Sequence, residues 1–168
     1  MLFRSERNRY RMDVDLSRSI SEKYAMPLYT SVRDALTLGG DTLGVDGVLL
    51  IGEHGEYPFN ALHQKMYPRK ELFDAIVAVF RESGRSVPLF CDKHLSWNPD
   101  WAEEMYQTCQ TLSIPLMAGS SLSHIGTQPP APDLTEKEVE EYVGLFYVGA
   151  EAYGFHSLEL MQAIIERR

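Results

Sequence analysis

Val45-Asp46-Gly47-Val48-Leu49-Leu50-Ile51 is the stretch on which the fold turns. Apolar residues run through it almost unbroken, interrupted by Asp46 and Gly47. A short, continuous run of this kind suits a strand buried on both faces of a parallel sheet, because a half-solvated strand would alternate. Two similar runs follow at residues 86–91 and 114–118. Between the three lie two helical patterns. Leu72, Phe73, Ile76, Val77, Val79 and Phe80 form an apolar stripe that Ser83-Gly84 stops. Asn98 caps a second helix with Pro99 at its first position, and Trp101, Met105, Cys109 and Leu112 line its inner face. Strand, helix, strand, helix, strand implies right-handed crossovers. The expected fold is α/β: an incomplete Rossmann-like parallel sheet with helices on both faces.

Upstream of the deciding stretch, Asp15 or Ser17 can cap a short helix through Lys23, and Pro27-Leu28-Tyr29 reads as a brief strand. Ser31 followed by Asp34 approximates a capping box for a helix that ends near Gly39-Gly40. Downstream, Gln128-Pro129-Pro130-Ala131-Pro132 marks a boundary. Residues 139–148, rich in Tyr, Val and Phe, then predict an extra strand, and Leu158, Met161, Ile164 and Ile165 predict a closing helix. The chain divides into an Arg-rich arm (1–14), a partial Rossmann-like domain (15–127), and a linker with strand and helix (128–168). The closing helix runs into Glu166-Arg167-Arg168 with no capping Gly or Asn, as it would if it frayed or belonged to a longer chain.

Bulk composition narrows the function. The 168 residues, 44% hydrophobic and 24% charged, are enough for one domain with a real core. A net charge of −8 argues against a nucleic-acid or acidic-membrane binder, which needs a basic face. No run approaches membrane-spanning length, and no signal-peptide core follows the start. Cys91 and Cys109 are expected as free buried thiols in a reducing, cytoplasmic setting.

In a parallel sheet the loops after the carboxyl ends of the strands lie along one edge, where ligands of open α/β sheets bind. Three such loops begin at Gly52, Asp92 and Gly119, and they carry Glu53, His54, Asp92, Lys93, His94, Ser120, Ser121 and His124. A lysine there can hold a substrate oxygen or give up a proton, a carboxylate can bind hydroxyls, and a histidine can shuttle protons near neutral pH. The plainer reading of each is structural: Asp92 capping a turn, Lys93 paired with a neighbouring carboxylate. The long loop of residues 52–68, with Tyr57-Pro58-Phe59 and Met66-Tyr67-Pro68, reads as a lid, a binding surface or a packed Ω-like loop.

These residues resemble the oxidoreductases related to glucose–fructose oxidoreductase, inositol dehydrogenase and MocA, the Gfo/Idh/MocA family. In order and at compatible spacing stand residues 45–51, Ser83-Gly84-Arg85, Asp92-Lys93-His94 and Pro115-Leu116-Met117-Ala118-Gly119. Tyr153-Gly154-Phe155-His156-Ser157-Leu158-Glu159 is similar to the Gly-x-His-x-x-Asp helix start of the family's second domain. The resemblance covers about Asp15 to Arg168. It implies NAD or NADP as cofactor and a sugar- or polyol-type substrate. Lys93 and His156 fall on its substrate-side lysine and histidine, with Asp92 and His94 beside them as catalytic candidates. Glu53, His54 and Ser120 become cofactor-side candidates.

The departures from the family are specific. Asp92 and His94 stand where it has Glu and Pro, Gly52-Glu53-His54-Gly55 replaces its Thr-Pro-x-x-x-His loop, and no Gly-x-Gly-x-x-Gly turn precedes Asp15. Gly39-Gly40 with Gly44 follows a helix, so it is no phosphate cradle, and tight NAD(P) binding by this chain is not expected. Two other readings compete. One is a metal-dependent hydrolase or lyase built on His54, Asp92, His94 and His124. The other is a non-catalytic domain that binds a small molecule or a partner chain, with exposed strand edges favouring a homo-oligomer.

Overall fold

The computed structural model describes residues 16–52, 57–124, 130, 139–146 and 149–166. Three short strands, β1 (Val48–Leu50), β2 (Leu89–Asp92) and β3 (Leu116–Gly119), form a parallel sheet in the order β1-β2-β3. The crossovers are α3 (Arg69–Ser83) between β1 and β2, and α4 (Pro99–Thr111) between β2 and β3. Ahead of them stand α1 (Leu16–Tyr24) and α2 (Val32–Thr37), and α5 (Ala150–Ile165) closes the chain. The α/β class and the parallel, helix-flanked sheet are as the sequence predicts.

Local chemistry sets the helix ends. The Ser31 hydroxyl oxygen accepts the Asp34 N–H at 3.0 Å and donates to the Asp34 carboxylate at 2.7 Å, opening α2. Leu38 closes that helix in the left-handed region, followed by Gly39 with φ +80. Gly84, φ +63, ends α3. Asn98 accepts from the N–H groups of Asp100 and Trp101 at 2.9 and 3.4 Å, with Pro99 at the first position of α4. The Ser83 hydroxyl accepts the Leu43 N–H, and Arg85 donates to the Leu43 carbonyl, which anchors the approach to β1 against the end of α3.

The core lies on one face of the sheet. Val48, Leu50, Leu89 and Cys91 meet Leu36 of α2, Phe73, Ile76, Val77 and Phe80 of α3, and Met105 and Cys109 of α4. Lys70 bridges the two crossover helices, donating to Asp74 and reaching Glu104 at 3.2 Å. Burial by itself would lower its pKa, but the hydrogen bonds and charges of Asp74 and Glu104 outweigh that and raise it.

Three expectations need correction. Among the described residues, the strands are not buried on both faces, nor do helices cover both. Leu49 is 69% exposed and Met117 68%, and both are in register with Phe90 across the sheet. With Ile51 they leave an apolar row on which none of α2, α3 and α4 packs. The second concerns the predicted strand at residues 139–148. Residues 139–146 form no strand, and 147 and 148 lie outside the described residues. Val143 and Leu145 are exposed, so the weak alternation there has no core to face. Leu28 forms only a single bridge where a brief strand is expected. No described helix is long and apolar enough to cross a membrane.

Candidate functional site

The register of β2 and β3 fixes the centre of the site. Asp92 pairs with Gly119, so Lys93 and Ser120 leave the sheet side by side at its carboxyl edge. Both are buried: Lys93 is 6% exposed and Ser120 4%. A buried ammonium is expensive unless polar groups surround it, so Lys93 marks a polar interior at this edge. The next residue, His94, is joined to Lys93 by a cis peptide bond. Its ring lies between two aromatic side chains, 5.6 Å from Tyr67 and 5.7 Å from Phe155. His94 therefore acts here as a packed aromatic spacer between the loop before α3 and helix α5.

Helix α5 reaches the same edge from the other end of the chain. The Glu159 carboxylate accepts the Ser120 N–H at 2.5 Å, and His156 Nδ1 is hydrogen-bonded to Ser120 Oγ. Gly119, φ +123, makes the approach feasible: a Cβ there would stand 2.7 Å from Glu159 Oε1. Beyond Ser120 a single 3-10 turn (Ser121–His124) begins, started by the Leu122 N–H donating to Ser120 Oγ at 3.0 Å. His94, Trp97, Phe155, Glu159 and Gln64 line an open cavity of about 470 Å³ beside this junction.

The loop before α3 supplies further charge. Arg69 begins that helix fully buried, its guanidinium 4.6 Å from the centre of the Tyr67 ring. Lys65 lies over the rings of Tyr57 and Tyr67. Asn60 folds the loop on itself by accepting the N–H groups of Leu62 and Gln64, and Phe59 bridges Lys65 antiparallel. The described part of this loop, residues 57–68, is folded on itself and buries Tyr67, with Phe59 and Leu62 exposed. Under it, burial pushes the Cys91 thiol up to about 11 despite the opposing pull of Arg69, and burial raises Cys109 as well.

Of the residues expected at the site, the structure brings Asp92, Lys93, His94, Ser120 and His156 to one edge. His124 ends the 3-10 turn. Glu53 and His54 lie outside the described residues. Sequence reasoning passed over Arg69, placed Tyr67 only in the long loop, and named Glu159 only as the end of a helix-start motif, with no role at the site. One signal for Arg69 was present: Arg69-Lys70 puts two cations in the first turn of a helix, against its dipole, where acidic residues are favoured. Glu159 had a weaker one, lying three residues after His156 and so on the same helix face.

Among the described residues, no group of three or more His, Cys, Asp or Glu is arranged to hold a metal ion. Among the described residues, no glycine turn is arranged as a cradle for a dinucleotide pyrophosphate either. The glycine that follows β1, Gly52, has its space filled by α3, since a Cβ there would meet Leu72 at 3.2 Å. Gly39, Gly40 and Gly44 follow α2 instead of joining a strand to a helix. No family model, curated protein or solved structure matches this chain.

Proposed function

We propose that the carboxyl edge of the sheet is the substrate-side part of a Gfo/Idh/MocA-type oxidoreductase site, related to enzymes for sugar- or polyol-type substrates. One observation carries this reading. Asp92-Lys93-His94 and the segment around His156 are about sixty residues apart in sequence, yet meet at one edge through the His94–Phe155 and Ser120–His156 contacts. Those are the two segments on which the resemblance places its catalytic candidates. The neighbouring cavity suits a hydroxylated ring: aromatic walls from Trp97 and Phe155 for its apolar face, and Gln64 and Glu159 for its hydroxyls. In this reading Lys93 holds a substrate oxygen by charge, and His156 handles the proton at that oxygen.

The cofactor belongs to the proposal only as descent. With no glycine cradle among the described residues, the chain alone binds NADH or NADPH weakly. Titrating the isolated chain with myo-inositol and with glucose, followed by amide and imidazole NMR shifts, tests the substrate side. Saturable shifts at His94, Phe155 and His156 are expected; silence at all three with both sugars would sink the reading. NADH fluorescence tests the cofactor side, and tight binding would overturn the claim of weak affinity. A second, non-catalytic reading is favoured by the apolar row of Leu49, Phe90 and Met117, which suits a homo-oligomer contact. Light scattering that finds only monomer at high concentration removes that reading.

A further inference from the structure

Ser120 Oγ carries one hydrogen and two lone pairs. One lone pair takes the Leu122 N–H at 3.0 Å. Among the described residues its only other hydrogen-bond neighbour is His156 Nδ1. If Nδ1 carried the imidazole proton, Oγ would accept twice and its own hydrogen would be stranded in a site only 4% exposed. The arrangement that satisfies both the hydrogen and the lone pair of Ser120 Oγ has Oγ–H donating to Nδ1. The proton of neutral His156 is then on Nε2.

We infer that Ser120 is a positioning residue that fixes the imidazole of His156 at this edge as its Nε2–H tautomer. Glu159 completes the device. One turn along α5 from His156, it accepts the Ser120 N–H, so a single strand-end residue holds the helix by both its backbone and its side chain. The competing reading of a Ser–His pair, a nucleophilic serine, shares this hydrogen bond, and the burial of Ser120 opposes it, because an electrophile must reach Oγ.

That His156 serves a substrate rests on the proposed reading of this edge; the tautomer does not. Long-range proton–nitrogen NMR of the uniformly labelled full chain, above the imidazole titration range, reads the tautomer directly. Expected is a His156 protonated at Nε2 and bare at Nδ1. In Ser120→Ala the Nε2–H to Nδ1–H ratio falls by about fivefold, the worth of one buried hydrogen bond, and Ser120→Thr restores it. A wild-type His156 protonated at Nδ1, or a ratio unmoved in Ser120→Ala, overturns the assignment. So does covalent labelling of Ser120 by a fluorophosphonate. If Ser120→Ala does not fold, the wild-type spectrum and Ser120→Thr still decide. Adding myo-inositol or glucose then separates the two claims. A correct tautomer that neither compound perturbs refutes the substrate-site reading and leaves the role of Ser120 standing.

Discussion

The two faces of the sheet are built from the same residue types and have opposite surroundings. Val48, Leu50, Leu89 and Cys91 point into three helices; Leu49 and Met117, one residue along their strands, point away from them. Composition does not separate the faces. What separates them is where the crossovers run, since α3 and α4 both pack on the Leu50 side. An uninterrupted apolar run thus reports that both faces avoid charge, which is a different statement from both being covered within this chain.

Substitutions can break or sharpen that contrast. The largest effect is expected inside the packed face, where Phe73→Ala lowers unfolding free energy by about 3 to 5 kcal/mol in urea titration. A loss below about 1 kcal/mol would mean that α3 is not held to the sheet as described. Next comes the thiol of the same face. The Cys91 pKa rises from 9.0 to about 11 on folding, so above pH 9 the unfolded chain releases a proton that the folded chain keeps. Stability therefore falls between about pH 9 and pH 11, by roughly 2 to 3 kcal/mol from this group. Stability measured across that window should fall less steeply in Cys91→Ala than in wild type; equal slopes would refute the assignment.

At the margin of the packed face, Asn98→Ala removes the cap of α4 and costs about 1 kcal/mol, read as a lowered urea midpoint with unchanged slope. The smallest effect belongs to the open face. Leu49→Lys should leave stability within about 0.5 kcal/mol of wild type, and Leu50→Lys should unfold the chain. Equal damage from the two lysines would erase the distinction between the faces.

Most of the frame was legible because its signals are local. Ser31 with Asp34, Asn98 with Pro99, and Gly84 each act within a few residues, and each stands where its chemistry predicts. The strand order followed from alternation of element types. The predicted strand at 139–148 failed because alternation needs a partner surface, which a window of sequence does not contain. At the site, the placing of Lys93 and Ser120 followed from the strand ends. The seating of α5 on them did not, because the contact joins Ser120 to His156 and Glu159 across a separation of 36 to 39 residues. Arg69 was missed for a related reason. Its burial depends on Tyr67 and on how the preceding loop folds, and a charged residue beside another in a helical window reads first as solvated surface.

Gly119 sets a condition for anyone rebuilding this molecule. It ends β3 in a backbone conformation with φ +123, and the Glu159 carboxylate occupies the space a side chain would take. A methyl group there would strain the backbone and displace the carboxylate that receives the Ser120 N–H. Transplanting α5 onto another parallel sheet, or redesigning this one around a new helix, must therefore carry the glycine along with the helix. In a design library the two positions form one choice: a carboxylate at 159 is usable only where the strand ends in a hydrogen atom.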